Sequence, residues 1–385
     1  MRRILILSAL VLCAGTAEAL DLAVTYLRRD VPPPPVLSNL DPVPDDLGQA
    51  GASLGLADNA TTGGFLGHRY TLDFALVAPE GDLTAAARAA LAKSPFLILD
   101  APAADILAVA DLPEAQNALI FNAAEADTAL RSADCRGNLL HTLPSRAMLA
   151  DALMQGLAAK RWTDLAMIVG PMPADRAWAE ALKAAALKFR LRPRGEKAWS
   201  YDADMRRNAW SELPVFTQDF RDYDVMLVAD EAGDFARYVA YNTWAPRPVA
   251  GSAGLTPVAW SRVMEQWGAA QLQSRFEAAA NRPMQSRDYA AWAAMRSLGE
   301  AATRAGTADP AEVRAFLLGP DFALPGFKGR ALSYRPWNGQ LRQPIPLVTD
   351  QAVVAVAPME GFLHQTDELD TLGLDRPDSA CRAFD

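Results

Sequence analysis

An α/β fold with parallel sheets flanked by helices is what this sequence predicts, and three observations predict it. Short runs nearly continuous in Val, Ile and Leu recur along the chain, as strands buried on both faces require. Longer stretches with apolar residues at helical spacing separate those runs. The composition, 51% hydrophobic and 22% charged over 385 residues, supplies apolar surface for sizeable cores and for two domains. A net charge of −9 without blocks of like charge excludes a nucleic-acid partner. Three scattered histidines, His68, His141 and His364, exclude a multi-histidine metal centre.

The chain opens with a secretory leader, residues 1–19. Arg2 and Arg3 form its basic end, Ile4 to Ala14 its apolar stretch, and Ala17-Glu18-Ala19 a small-residue cleavage site. The apolar stretch is too short to span a bilayer. The expected product is an exported, periplasmic protein. Cys13 leaves with the leader, so Cys135 and Cys381 remain. They are two free thiols or one bridge, and an oxidising compartment favours the bridge.

Along the mature chain, strands are expected at LAVTYL (22–27), YTLDFALV (70–77), FLILD (96–100), ALIF (118–121) and NLLHTL (138–143). A second set follows at LAMIVG (165–170), YDVMLVA (223–229) and AVVAVA (352–357). Helical patterns lie at 82–93, 145–160 and 174–189, with Ser145 placed to cap the second of them. Residues 28–46 carry Pro32 to Pro35 and read as a stiff surface loop after the first strand. Residues 257–305 read as almost wholly helical, anchored by Trp260, Trp267, Phe276, Tyr289 and Trp292.

Motifs that would fix a chemistry are absent: no phosphate-cradling loop, dinucleotide fingerprint, zincin helix, CxxC pair or EF-hand occurs. Gly51-Ala52-Ser53-Leu54-Gly55 fits GxSxG. A nucleophile elbow needs its serine on a sharp turn after a strand. Here the motif sits in a helix-like stretch, Asp46 to Asn59, where Gly48, Gly51 and Gly55 share one face and favour close helix packing. Ser53 remains the one cheap nucleophile for an alternative reading as a periplasmic hydrolase. Asp367, Glu368 and Asp370 cluster in the tail without metal-ligand spacing and read as a solvated turn.

The order of elements resembles the type I periplasmic solute-binding proteins of the leucine/isoleucine/valine-binding kind over nearly the whole mature chain. The resemblance rests on FLILDAPAADILAVADLPEAQNALIFNAAEADTALR, NLLHTLPSRAMLADALMQGLAAKRWTDLAMIVG, SRDYAAWAAMRSLGEAATRAG and KGRALSYRPWNGQLRQPIPLV. The stretches GFLHQTDELDTLGL and PRPVAGSAGL are similar to a narrower subfamily, the ABC-type substrate-binding proteins associated with pyrroloquinoline-quinone-dependent alcohol oxidation. The resemblance implies two lobes joined by three crossovers, with ligand in the cleft between them. Lobe 1 would span 20–142 plus 250–335, and lobe 2 would span 143–249 plus 336–385. That topology brings the tail back to the first crossover, so that Cys135 and Cys381 meet. It implies a monomeric, non-enzymatic transport component without a cofactor, whose partners are a small solute and an inner-membrane ABC permease. An adaptor that presents a ligand to a quinoprotein system is the remaining alternative.

Open α/β sheets bind ligands outside the carboxyl ends of their strands. The candidate site is therefore Arg28, Asp100, Ala101, Asn122, Ala123, Glu125 and Asp230, with Arg29, Asp30, Pro102 and Glu231 beside them. In amino-acid-binding members, hydroxyl side chains after the third and fourth strands hold the ligand carboxylate. The matching loops here carry carboxylates instead, which repel an anionic ligand. Hydroxyl-rich or cationic solutes suit them better. The competing reading for each carboxylate is a helix cap or a partner for Arg28 and Arg29.

Overall fold

The computed structural model describes residues 19–32, 42–200 and 205–385. Residues 1–18 of the expected leader and residues 33–41 of the proline-rich stretch lie outside the described residues. The first five strands, β1 (Asp21–Arg29), β2 (Arg69–Val77), β3 (Phe96–Asp100), β4 (Leu119–Asn122) and β5 (Leu139–His141), form one parallel sheet in the order β2-β1-β3-β4-β5. The central strands β3 and β4 are buried at every residue, whereas the edge strand β2 is mostly exposed. Three helices lie between these strands: α1 (Gln49–Gly63), α2 (Leu83–Leu91) and α3 (Ala103–Ala110).

After the first crossover the pattern restarts. Ser145 Oγ accepts the Met148 N–H and caps α4 (Arg146–Ala159), as its place in the sequence predicts. A second parallel sheet follows, built from β6 (Asp164–Val169), β7 (Arg192–Ala198), β8 (Val225–Ala229) and β9 (Val249–Gly251) in the order β7-β6-β8-β9. Its helices are α5 (Pro173–Lys188), α6 (Met205–Thr217) and the single turn α7 (Ala236–Val239). Strand β7, RPRGEKA, carries no apolar run because it is an edge that buries little, and so it escaped the hydrophobic pattern.

Following β10 (Thr256–Pro257), the chain returns to the first sheet with α8 (Ala269–Ala280), α9 (Ser286–Ala305) and α10 (Pro310–Leu318). The helical expectation for 257–305 holds from 269 onward, broken at the left-handed Asn281. Residues 258–265 are instead turns and irregular chain. The short strands β11 (Leu324–Pro325), β12 (Ala331–Tyr334) and β13 (Leu341–Arg342) form a small antiparallel ribbon. Strands β14 (Ile345–Val348) and β15 (Val353–Ala357) then pair antiparallel beside β10. The run AVVAVA thus lies at an antiparallel edge rather than in a parallel sheet.

Each sheet is covered on both faces, giving two lobes. On the first, Phe121, Trp260, Phe276, Tyr289, Trp292 and Tyr334 fill one side, and Leu97, Leu99, Ile106 and Val109 fill the other. On the second, Leu153, Leu165, Trp178, Leu227 and Leu347 form one core, and Ile168, Leu213, Val228 and Phe235 form the other. Residues 249–257 pair with strands of the second lobe, whereas the sequence reading placed 250 onward in the first. The end of the tail packs on the first lobe: Phe384 lies against its core, and Cys381 is bonded to Cys135 with a Cα separation of 5.6 Å.

Buried polar groups tie the crossovers together. The Arg131 guanidinium donates to the carbonyls of Glu125, Asp127 and Leu143 and to Gln340 Oε1. Gln343 donates to Thr142 O, and Lys328 donates to Gln343 Oε1. Burial pushes Arg131 down to about 9, which leaves it charged at neutral pH. The tail cluster is not a solvated turn. Asp370 is fully buried, and both Arg335 and Arg342 donate to it while flanking the Trp337 ring. Among the described residues no helix is long and apolar enough to cross a membrane.

Candidate functional site

The carboxyl ends of the two parallel sheets are where the sequence places its site. In the first lobe β1 ends at Arg28 and Arg29, and register sets Arg28 beside Asp100 of β3. Asp100 is buried and accepts a hydrogen bond from Tyr26 Oη at 2.9 Å. Arg28 Nε lies 3.9 Å from the same carboxylate and Arg287 Nη1 lies 3.6 Å from it. Burial first, then the Asp100 charge, raises the Tyr26 pKa well above the usual phenol value. That phenol therefore stays protonated and donates. Arg28 also donates to Asp45 O at 2.7 Å, and Arg29 is held by Asp105 and by the carbonyls of Pro79 and Gly81. Both arginines thus have acidic or carbonyl partners, as the competing reading predicts.

The second predicted loop is built inward. Asn122 is fully buried; its Oδ1 accepts the N–H groups of Ala124 and Glu125 while its Nδ2 donates to Glu125 O. Those bonds close an Asx-type turn, so the amide shapes the loop. Ala101 and Ala123 are buried beside it. Asp230 is also committed: its two oxygens accept the N–H groups of Asp234, Phe235 and Ala236 at the start of α7. That is the helix-cap alternative, realised. Pro102 opens α3, and Asp30 is exposed at the end of β1.

The remaining carboxylates meet across the lobes. Glu125, after β4, and Glu231, after β8, both pair with Arg146 in the first turn of α4. The Glu231 contact is bidentate, with both bonds at 2.8 Å, and the Glu125 contact is 3.3 Å. The structure therefore gathers the predicted residues into two groups, Arg28 with Asp100 and Glu125 with Glu231, while the Asp230 carboxylate, next to Glu231 in the chain, is turned to the start of α7. Beside the second group, the buried Asp175 accepts the N–H groups of Met172 and Ala232, joining the loops after β6 and β8. Burial raises its pKa above the ordinary carboxylate value.

Tyr26, Arg146 and Arg287 complete these groups and were not read from the sequence. A signal for two of them exists. Both arginines stand in the first turn of a helix, where the macrodipole disfavours a cation unless acids face it. A cation so misplaced points to carboxylates brought there by another part of the fold. Ser53, by contrast, is exposed in the second turn of α1, not on a strand-to-helix turn, and the elbow geometry fails. Among the described residues no group of three or more His, Cys, Asp or Glu side chains is placed to hold a metal ion.

No protein-family model matches this chain, and no curated protein does. Solved structures do. A branched-chain amino acid ABC transporter periplasmic ligand-binding protein from Burkholderia xenovorans superposes with a TM-score of 0.73 at 14% identity, covering 94% of this chain and 100% of the other. The leucine-, isoleucine-, valine-, threonine- and alanine-binding protein of Brucella ovis, in its closed conformation, gives 0.68 at 14%, covering 95% and 99%. A solute-binding protein of an R. palustris ABC transporter, in complex with benzoate, gives 0.64 at 14%, covering 95% and 100%. At these identities the likeness is one of fold, and the chain has the two-lobed α/β architecture of the periplasmic binding proteins.

Proposed function

We propose that this protein is the exported solute-binding component of an ABC transport system, a non-enzymatic monomer that captures a small polar solute by hinge closure and hands it to an inner-membrane permease. The observation that carries the reading is the meeting of strand ends from both sheets at Arg146, in a fold shared with proteins that bind leucine and benzoate. Closure of such a fold is driven by contacts that the ligand makes to both lobes at once. In this reading the loops bearing Arg28, Asp100–Ala101, Asn122–Glu125 and Asp230 line the cleft. Asp100, flanked by Arg28 and the half-exposed Arg287, is the polar anchor, and Asn122 and Asp230 set loop shape.

Carboxylates already compensated by arginines favour a solute with hydroxyl donors over a simple anion. The narrower resemblance makes short alcohols and polyols of quinoprotein-linked oxidation the first candidates. The test is titration calorimetry with alcohols, polyols, amines, benzoate and aliphatic amino acids on wild type, Asp100→Ala and Arg287→Ala. A hydroxyl-bearing solute should bind, and each substitution should weaken it about ten-fold, the worth of one charge-assisted hydrogen bond. Tight leucine binding that is unchanged in both variants would overturn the placement and polarity of the site.

A further inference from the structure

A groove of about 770 Å³ lies outside the strand-end site, between the stretch Arg262–Trp267 and strand β15 with its turn, Asp350–Val356. Three features of it belong together. First, one wall is a free sheet edge. In the order β10-β14-β15 the last strand has no outer partner among the described residues. The Val258 N–H bonds to Pro346 O, so Pro346 faces β10 and its neighbours Ile345 and Leu347 face β15. Alternation then turns the N–H and C=O of Val356, which stands opposite Pro346, outward into the groove. The strand carries no Lys or Pro between Ala352 and Ala357; its one irregularity is a register shift that leaves Val354 without an opposite residue on β14.

Second, the opposite wall is held in an unusual conformation. Trp267 has φ 56°, left-handed backbone that a bulky residue seldom adopts, and its half-exposed indole packs so closely on Gly329 that a Cβ there would lie 2.8 Å from the ring. The fold holds an aromatic plate at the groove instead of burying it. Third, the rim is acidic on balance. Glu265 and Asp350 stand there against the one cation Arg262, whose guanidinium donates to the Asp350 carbonyl. Five residues of extended chain, at about 3.4 Å rise, 4.8 Å strand spacing and 10 Å packing distance, occupy about 800 Å³. The groove has room for one strand.

We infer that this groove is a docking site for a short extended peptide of a partner protein, which adds to β15 as an outer strand, sets aliphatic side chains against Met264 and Trp267, and carries a basic residue toward Glu265 and Asp350. Backbone pairing gives such a site its affinity, and alternate side-chain pockets give its selectivity. The inference is independent of the solute that the strand-end site takes.

The probe is a fluorescein-labelled peptide, Lys-Val-Ile-Val-Thr-Lys, titrated with mature protein in fluorescence anisotropy. It should bind one to one. N-methylation of the amides on one edge of the peptide should weaken binding about ten-fold, while methylation of the other edge should leave it unchanged. Replacing both lysines by glutamate should weaken it several-fold. Val354→Lys, at a half-exposed position, should also abolish it; if that variant does not fold, Trp267→Ala serves and should weaken binding at least several-fold. Three results would overturn the inference: no binding, equal binding of both methylated peptides, or a dimer of the protein in sedimentation that Val354→Lys dissolves, which would give the edge to a second copy.

Discussion

Gly51 and Gly64 lie one helix apart and should respond oppositely to alanine. A Cβ on Gly51 would stand 1.9 Å from the Asp288 carbonyl oxygen, so α1 and α9 would have to separate. Gly51→Ala should therefore cost about 3 kcal/mol in urea unfolding, at the upper end of overpacking effects. Gly64 has right-handed backbone and nothing within 4 Å of an added Cβ, so Gly64→Ala should be neutral or stabilise by about 0.5 kcal/mol. Equal losses would mean that helix contact is not what α1 needs glycine for. A second residue-scale prediction concerns pH. His141 is fully buried, its Nε2 has no hydrogen-bond partner among the described residues, and burial followed by the Arg131 charge lowers its pKa well below the ordinary value. The unfolded imidazole binds a proton below about pH 6.5, while the folded one stays neutral to lower pH. The folded state thus loses stability as pH falls through that window, and none of this loss occurs above it. Unfolding of His141→Gln between pH 5 and 8 should show a shallower acid decline than wild type; parallel curves would remove His141 from the cause.

Helix α7 has four residues, and the N–H groups of its first residue, Ala236, and of the two residues before it, Asp234 and Phe235, all donate to one carboxylate, Asp230. Asp230→Ala should cost about 2 kcal/mol, the upper range for a cap, and raise hydrogen exchange in 234–239 before the rest of the lobe. Asp230→Asn should recover part of it. Unchanged exchange there would show that packing of Phe235, not the cap, holds the turn. The same element explains a limit of sequence reading. A strand-end aspartate looks identical whether it caps a helix or faces a ligand, because both uses want a carboxylate at that point of the chain.

On the scale of the whole molecule, the bridge between Cys135 and Cys381 closes a loop of 246 residues that contains all of the second lobe. In the chain-entropy model such a loop stabilises by about 5 kcal/mol as an upper figure. The denatured, unreduced mature protein should show no titratable thiol, and Cys135→Ser with Cys381→Ser should lower the melting temperature by several degrees. Two free thiols would refute the pairing. What the sequence by itself determined is the repeating architecture. Runs such as Phe96–Leu99 and Val225–Ala229 are apolar at every position, and only a strand covered on both faces needs that. The edges were a different matter: β7 is nearly all polar, and Ala352–Ala357 looks like a buried strand yet lies at an open edge. The bonding of the site was also decided by the tertiary structure alone. The bonds of Asp100 and Glu125 run to Tyr26, Arg287 and Arg146, distant in sequence, because ionic partners carry no period along the chain. Hydrophobic burial repeats with the backbone and is legible locally; a salt bridge depends on where two loops arrive, and only the packed lobes fix that.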